Sequence, residues 1–297
     1  MPDGVSEILR FAEAWGRRAY PVRWSLRDTI TYAIATGADG RNGRALVWES
    51  APGFGTLPTF ATRFAHQALI DLAAGTRHAG LPFFARASRV RLHGPLPSEC
   101  DEARASAALG VKERSAGRLV LTLDVETRVL EEPIAHSSLD VHFRLPGERR
   151  TRRASPDAED TEDAEAADGA RTVEVAESVR PYQAAVFRTL LGLRADGRVQ
   201  DAMHIDPVRA RELGLPAPAL PGEITLGILA RLAAENRERL GVGGLSGVEA
   251  RYLRPVWDLD ELAITFVPAR DGSVLTKVVN GEGRTAVAGA LHFQEAS

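Results

Sequence analysis

Two stretches bring together residue types that could move a proton and stabilise a developing negative charge. His204 lies in Arg198-Val199-Gln200-Asp201-Ala202-Met203-His204-Ile205-Asp206-Pro207. Further on, Gly222 falls in Leu220-Pro221-Gly222-Glu223-Ile224-Thr225, where an apolar helical periodicity begins. An imidazole titrates near neutrality and serves as acid or base. A backbone N–H at a helix N-terminus, aided by the helix dipole, stabilises charge on a carbonyl oxygen, an effect worth about 3–4 kcal/mol. Gly222 offers that N–H with no side chain to obstruct approach, and Pro221 lacks an N–H at a position that need not supply one. Asp201, three before the histidine, is a candidate carboxylate partner, with Asp196 the next nearest. Asp206 before Pro207 reads as a helix cap. On type alone, His204 reads equally as a hydrogen-bonded structural residue.

Other chemistries find less support. His136 and His142 sit in an alternating strand, and His66 and His78 in or after a helix, with no metal-ligand spacing. Gly241-Val242-Gly243-Gly244 precedes a strand and has no Lys-Ser/Thr, so it reads as a helix stop rather than a phosphate loop. No nucleophile elbow or Cys-x-x-Cys occurs. The expectation is therefore no metal and no nicotinamide or flavin cofactor.

These residues sit in a chain of ordinary globular composition: 297 residues, 44% hydrophobic and 26% charged, with 37 Lys+Arg against 40 Asp+Glu and a net charge of −3. That balance gives no general electrostatic reason to expect nucleic acid or an anionic membrane as partner. Cys100 stands alone, so no internal disulfide is implied. No apolar run approaches the ~20 residues that span a bilayer, and Met1-Pro2-Asp3-Gly4 lacks the layout of a signal peptide. A cytoplasmic location is the expectation.

The positioning elements come in two similar halves. Residues 1–24 read as an N-terminal helical extension, with Ile8, Leu9, Phe11, Ala12 and Trp15 forming an apolar face that packs on the core. The first unit, 25–147, opens with Ser25 and Asp28 in capping-box spacing over a helix ending at Gly37. A second helix follows from Pro58 to about Ala74, stopped by Gly75. Strand-like alternation then covers Val90–Leu92, Leu119–Val125 and Ser138–Phe143. Residues 148–175 read as an acidic flexible linker, because Pro156–Gly169 holds seven acids and no base. The second unit, 176–297, repeats the order: a helix from Gly222 to about Leu240, then strands at Val248–Leu253, Leu262–Val267, Val274–Val279 and Ala286–Phe293. Leu92-His93-Gly94-Pro95-Leu96 echoes Leu253-Arg254-Pro255-Val256, and Val141-His142-Phe143 echoes Leu291-His292-Phe293. Two α+β units are implied, each a sheet wrapped over one helix, joining edge to edge.

On these stretches the chain resembles the (R)-specific enoyl-CoA hydratases, the MaoC-like group of hot-dog fold. More narrowly, it is similar to the double-hot-dog hydratase 2 type found in peroxisomal multifunctional enzymes. The resemblance is carried by Arg27–Ala33, Leu57-Pro58-Thr59-Phe60 and Ser88–Pro97 in the first half. His204-Ile205-Asp206-Pro207 and the Pro255 and Gly289 regions carry it in the second. It spans roughly residues 24–146 and 180–294. The family signature, Gly-Asp-x-Asn-Pro-x-His followed by a His-Gly pair, places its histidine at His204 and its glycine at Gly222. Elsewhere this chain departs from it: the Asp position is Val199, the Asn position Asp201, its Pro Ala202, and the His of the His-Gly pair Pro221.

The resemblance implies hydration of 2-enoyl thioesters, or dehydration of (R)-3-hydroxyacyl thioesters, carried on coenzyme A or an acyl carrier protein. His204 would be the acid/base, Gly222 the oxyanion donor and Asp201 a substitute carboxylate. Val199 and Pro221 would flank the substrate, and Pro58 and Phe60 would line the acyl-tail site beside the first half's helix. A homodimer is a further expectation. The loss of the aspartate at Val199 leaves two other readings open. One is a repurposed hot-dog enzyme of polyketide-type metabolism that cyclises, isomerises or adds an internal nucleophile; the other is a non-catalytic binding subunit.

Overall fold

A computed structural model describes residues 3–115, 118–145, 166–167, 169, 171–191 and 200–294. Most of the acidic stretch expected as a linker therefore lies outside the described residues.

The chain builds one helix-and-strand sequence twice. In the first unit, helix α1 (Asp3–Glu13) leads into strand β1 (Arg17–Trp24) and helix α2 (Leu26–Ala35). After the short helix α3 (Arg44–Val47), a 3-10 segment, Pro58–Ala65, runs directly into α4 (His66–Thr76). Strands β2 (Phe83–Leu92), β3 (Cys100–Ser115), β4 (Arg118–Val129) and β5 (Glu132–Arg144) complete it. The second unit answers with β6 (Val173–Ser178) and α5 (Gln183–Leu190), the short α6 (Pro207–Glu212), then α7 (Gly222–Glu235) and α8 (Arg237–Leu240). It ends in β7 (Leu245–Tyr252), β8 (Glu261–Pro268), β9 (Val274–Val279) and β10 (Thr285–Phe293). The ten strands form one sheet in the order β1-β3-β4-β5-β2-β7-β10-β9-β8-β6. That order reads the same from either end once β1–β5 are matched to β6–β10, so the two units are related by an approximate two-fold axis at the β2–β7 seam. There β2 and β7 run antiparallel, with Ala87 opposite Arg251 and Arg91 opposite Gly247.

Local chemistry explains the elements that the sequence announces. Ser25 caps α2: its hydroxyl accepts from the Asp28 N–H, and the Asp28 carboxylate accepts from the Ser25 N–H at 2.8 Å. Asp206 caps α6 by accepting from the Val208 N–H at 2.8 Å, with Pro207 in the first turn.

Several elements differ from the sequence reading. The N-terminal extension is helical only through Glu13; Gly16 turns the chain at a φ of 64°, and Arg17–Trp24 then pairs with β3 as an edge strand. Pro21 is tolerated there because an edge strand has one side without ladder bonds. Strand β3 escapes notice because its buried positions, Ala103, Ala105 and Ala107, are small residues of low strand propensity. Strand β6 begins at Val173, inside the stretch expected as linker. Gly75 is not a helix stop. It lies within α4, where an added Cβ would fall 2.0 Å from the Phe11 ring, so glycine lets α1 settle on α4.

The helices are locked by a buried cation. Arg231, in the middle of α7, is 1% exposed. Its guanidinium donates to the Thr36 carbonyl at the end of α2 (2.9 Å) and pairs with Glu177 of β6 (2.6 Å) and Glu235 of α7 (3.0 Å). Burial works against the charge, but the two carboxylates outweigh it and raise its pKa. Beside it, the amide of the fully buried Gln183 donates to the Ala35 carbonyl at 2.9 Å. Removing a buried partner strands the remaining charges. Arg231→Ala should lower the unfolding free energy by about 3 kcal/mol, read from urea denaturation. An unchanged midpoint would show that the helices are held by packing alone.

Candidate active site

His204 ends a 3-10 turn, Gln200–His204, that leads into the capped start of α6. The turn is closed by the Ile205 and Asp206 N–H groups, both donating to the Ala202 carbonyl. The half-buried imidazole reaches sideways: its Nδ1 lies 2.6 Å from the Ala219 carbonyl. A carbonyl only accepts, so Nδ1 carries the hydrogen, which in the neutral ring leaves the lone pair on Nε2. Ala219 is held by a bridge to Trp257, and the Leu220 N–H donates to the Val256 carbonyl at 2.7 Å. The imidazole is thus tied to the segment that delivers Pro221 and Gly222 to the mouth of α7.

No side chain caps that mouth. The Ile224 and Thr225 N–H groups both turn back to the Pro221 carbonyl, at 3.0 and 3.3 Å. The Gly222 N–H belongs to the pair of amides ahead of them, at the positive end of the helix dipole. Glycine is required here on steric grounds as well. A Cβ on residue 222 would sit 2.8–3.1 Å from ring atoms of Tyr252, at the end of β7. On the other side, the Tyr32 hydroxyl from α2 donates to the Glu223 carbonyl at 3.2 Å. Burial raises the pKa of both tyrosines, so both stay protonated across the physiological range.

A small open cleft lies against this first turn, at the seam between the units. Thr62, Ala65, His66 and Leu69 form its helical wall, Ser88 and Arg89 of β2 and Ser137, Ser138 and Leu139 of β5 its sheet wall, and Glu223 of α7 one end. The cleft therefore reaches the residue beside Gly222, while neither Gly222 nor His204 is among its lining residues. Pro58 and Phe60 do not line it either. Phe60 is fully buried against Trp24, Tyr32 and Phe64, with ring centroids 5.6–6.3 Å apart. Val199 lies outside the described residues, as does the side chain of Asp201, so the structure describes neither against His204.

Glu223, His66, Ser88 and Tyr252 are the neighbours the sequence reading passed over. Glu223 carried a signal, since it directly follows the candidate oxyanion glycine. Tyr252 comes from β7 of the same unit and His66 and Ser88 from the other unit, and no local pattern announces either approach.

Two units of this kind, sharing one sheet around their central helices, define the double hot-dog class. Within that class the chain resembles the MaoC-like dehydratases. It is similar to 3-hydroxyacyl-thioester dehydratase Y of Mycobacterium tuberculosis (strain ATCC 25618 / H37Rv), 25% identical over 279 residues that make up 89% of each chain. A MaoC-like dehydratase from Phytophthora capsici superposes with a TM-score of 0.70 at 16% identity, covering 99% of both chains. Peroxisomal multifunctional enzyme type 2 from Drosophila melanogaster gives the same TM-score, 0.70, at 16% identity over 98% of this chain. The chain spans only about half of that protein, 51% of its length. Rv0216 of Mycobacterium tuberculosis, described as having a double hotdog fold, matches with a TM-score of 0.58 at 14% identity, over 92% of this chain and 94% of that one. No family model matches the chain. No helix among the described residues is long and apolar enough to cross a membrane.

The Tyr252 contact yields a prediction. Gly222→Ala should destabilise the protein by about 1–3 kcal/mol through overpacking. In a Tyr252→Ala background the same change should cost far less, and a double-mutant cycle by urea unfolding reads the difference. Equal costs in both backgrounds would mean that the ring is not what excludes a side chain.

Proposed function

We propose that this chain dehydrates 3-hydroxyacyl thioesters, or hydrates the corresponding 2-enoyl thioesters in the (R) sense, with the acyl group carried on coenzyme A or an acyl carrier protein. The observation that carries this reading is the Nδ1–Ala219 contact, because it ties an imidazole to the segment that opens α7.

In the proposed reaction the thioester carbonyl oxygen accepts from the Gly222 N–H. Charge that builds on that oxygen, as a proton leaves C2 or water adds at C3, meets the positive end of α7. With Nδ1 donating to the Ala219 carbonyl, Nε2 of His204 takes the proton in one direction and returns it in the other. Dehydration moves one proton from C2 and delivers one to the departing C3 hydroxyl, leaving an enoyl thioester and water. Asp201 is the nearest carboxylate in sequence to share that transfer. Support comes from the similarity to a 3-hydroxyacyl-thioester dehydratase along 89% of the chain.

Val199 motivates the second reading, a hot-dog enzyme redirected to cyclisation, isomerisation or conjugate addition, since an apolar residue cannot hold a reacting water. Crotonyl-CoA and a longer 2-enoyl-CoA separate the two when loss of the conjugated-thioester absorbance is followed. The dehydratase reading expects turnover that falls about 10²–10⁴-fold in His204→Ala, and it fails if neither substrate reacts or if the variant keeps its rate. Val199→Asp should raise that turnover; a fall in the wild-type hydration rate would instead show that the apolar side chain is needed at that position.

A further inference from the structure

Tyr252 brings to the mouth of α7 a hydroxyl that the proposed reaction does not use. Its oxygen is buried and, among the described residues, has no hydrogen-bond partner. The ring carbon that bears the hydroxyl and the two beside it are the atoms that lie against Gly222. A buried hydroxyl without a partner has lost its water and gained nothing in exchange, so its presence calls for a reason other than stability. The seam indicates one. Strand β7 pairs with β2 there, placing Ser88 opposite Ala250. Residues two apart on a strand share a face, so Ser88 and Tyr252 are diagonal neighbours, a separation that a long aromatic side chain can bridge. Burial raises the pKa of the Tyr252 phenol, and the Ser88 hydroxyl works in the opposite direction without completing a hydrogen bond to it.

Ser88 also lines the cleft, whose Ala65, Leu69 and Leu139 offer an apolar wall to an acyl chain. It faces the helices: Ser88 stands opposite Leu139, and Ser137, on the same face of β5, donates to the Ala61 carbonyl of the 3-10 segment at 3.1 Å. Arg89 and Ser138 alternate onto the other face of the sheet, where Arg89 lies 3.6 Å from Asp140 and 3.5 Å from Glu249. On the helix side, Thr62 has given its hydrogen to the Thr59 carbonyl at 2.9 Å, and His66 and Glu223 each have a partner already. Ser88 alone on that side keeps its hydrogen for a ligand, among the described residues. One phenol therefore links two donors, with its terminal carbons on the Gly222 backbone and its hydroxyl beside Ser88. We infer that Ser88 is a second donor to the thioester oxygen held by the Gly222 amide, and that Tyr252 positions it by donating to the Ser88 oxygen when substrate binds. Neither hydroxyl gives up its proton. Both hydrogen bonds strengthen as charge builds on the thioester oxygen, and a contact that is loose in the free enzyme tightens in the complex. The inference rests on the thioester reading, and it makes the site common to both units, with one donor from β2 and the other from α7.

The test compares crotonyl-CoA hydration by the full-length wild type, Ser88→Ala, Tyr252→Phe and the double variant. Ser88→Ala should lower kcat about 10²-fold with little change in KM, as the loss of one oxyanion donor does. Tyr252→Phe keeps the ring on Gly222 and should lower kcat several-fold, yet add no further loss in the Ser88→Ala background, because it acts through Ser88. Its urea midpoint should equal or exceed that of the wild type, since the change removes a hydroxyl that has no partner. A Ser88→Ala enzyme that keeps its rate overturns the inference, as do losses that multiply in the double variant or a lowered Tyr252→Phe midpoint. Binding is read apart from turnover with hexanoyl-CoA carrying carbon-13 at its thioester carbonyl, a saturated compound that cannot be hydrated. Donors on that oxygen move the carbonyl resonance downfield, and the displacement seen in the wild type should shrink in both single variants. A displacement absent from the wild type, or unchanged in both variants, also overturns the inference. A displacement that shrinks as expected in a protein that turns over neither 2-enoyl-CoA nor 3-hydroxyacyl-CoA sinks the dehydratase reading and leaves the donor pair standing.

Discussion

Arg231 is the point from which the arrangement of helices follows. A guanidinium cannot shed its charge, so burying one obliges the fold to bring acceptors to it from several elements at once. Thr36 supplies a carbonyl from the end of α2, Glu177 a carboxylate from β6, and Glu235 a second carboxylate from α7 itself. The Thr36 carbonyl lies at the negative end of a helix dipole, where a cation is favoured. An approximate counterpart runs the other way. Arg63, in the 3-10 segment of the first unit, donates to the Leu190 carbonyl at the end of α5 at 3.1 Å. Each unit's central helical segment thus sends an arginine to the C-terminal end of the other unit's leading helix. Because α7 is rigid, fixing it at Arg231 also fixes its mouth at Gly222, about 13 Å away along the axis.

The seam makes the second half of the architecture. A five-stranded hot-dog sheet has an exposed edge at its inner strand, and pairing β2 with β7 removes both such edges together. The outer edges are handled differently. Strand β1 carries Arg17, Arg18, Pro21 and Arg23, and β6 is short and bears Glu174 and Glu177. Charge, proline and brevity all oppose further pairing. The seam has a further consequence, since it presses residues of α4, β2 and β5 against the first turn of α7 and so creates the cleft.

What the sequence revealed follows from how local each cause is. The Ser25–Asp28 capping box, the Asp206 cap and strand β9 each depend on a few consecutive residues and were readable as such. Strand β3 was not, because its buried face is alanine, and β1 was hidden by a proline that only an edge position forgives. His204 and Gly222 stood out by residue type and by their match to the hydratase signature. Glu223 was signalled only by its place after Gly222, and it reaches His66, Ser88 and Ser137 of the other unit only when the two units join edge to edge. Phe60 is the opposite case. An aromatic residue near a suspected acyl site invites a binding role, but Trp24, Tyr32 and Phe64 absorb it into the core.

The mouth of α7 shows why its uncapped state matters. Ser25 caps α2 and Asp206 caps α6, whereas α7, the longest of the described helices, begins at Pro221 and Gly222 without a side-chain cap, as do α3, α4, α5 and α8. A missing cap typically costs ~1 kcal/mol. Here the cap position is Pro221, whose ring has no acceptor to offer, and at the next residue a Cβ would meet the Tyr252 ring. Tyr32 meanwhile spends its hydrogen bond on the Glu223 carbonyl and leaves the Gly222 amide to other partners. The two tyrosines therefore hold the first turn in place while keeping side chains away from its leading amide. A helix end held in this way keeps its partial positive charge for whatever oxygen arrives from outside, which is the condition that stabilising an oxyanion requires.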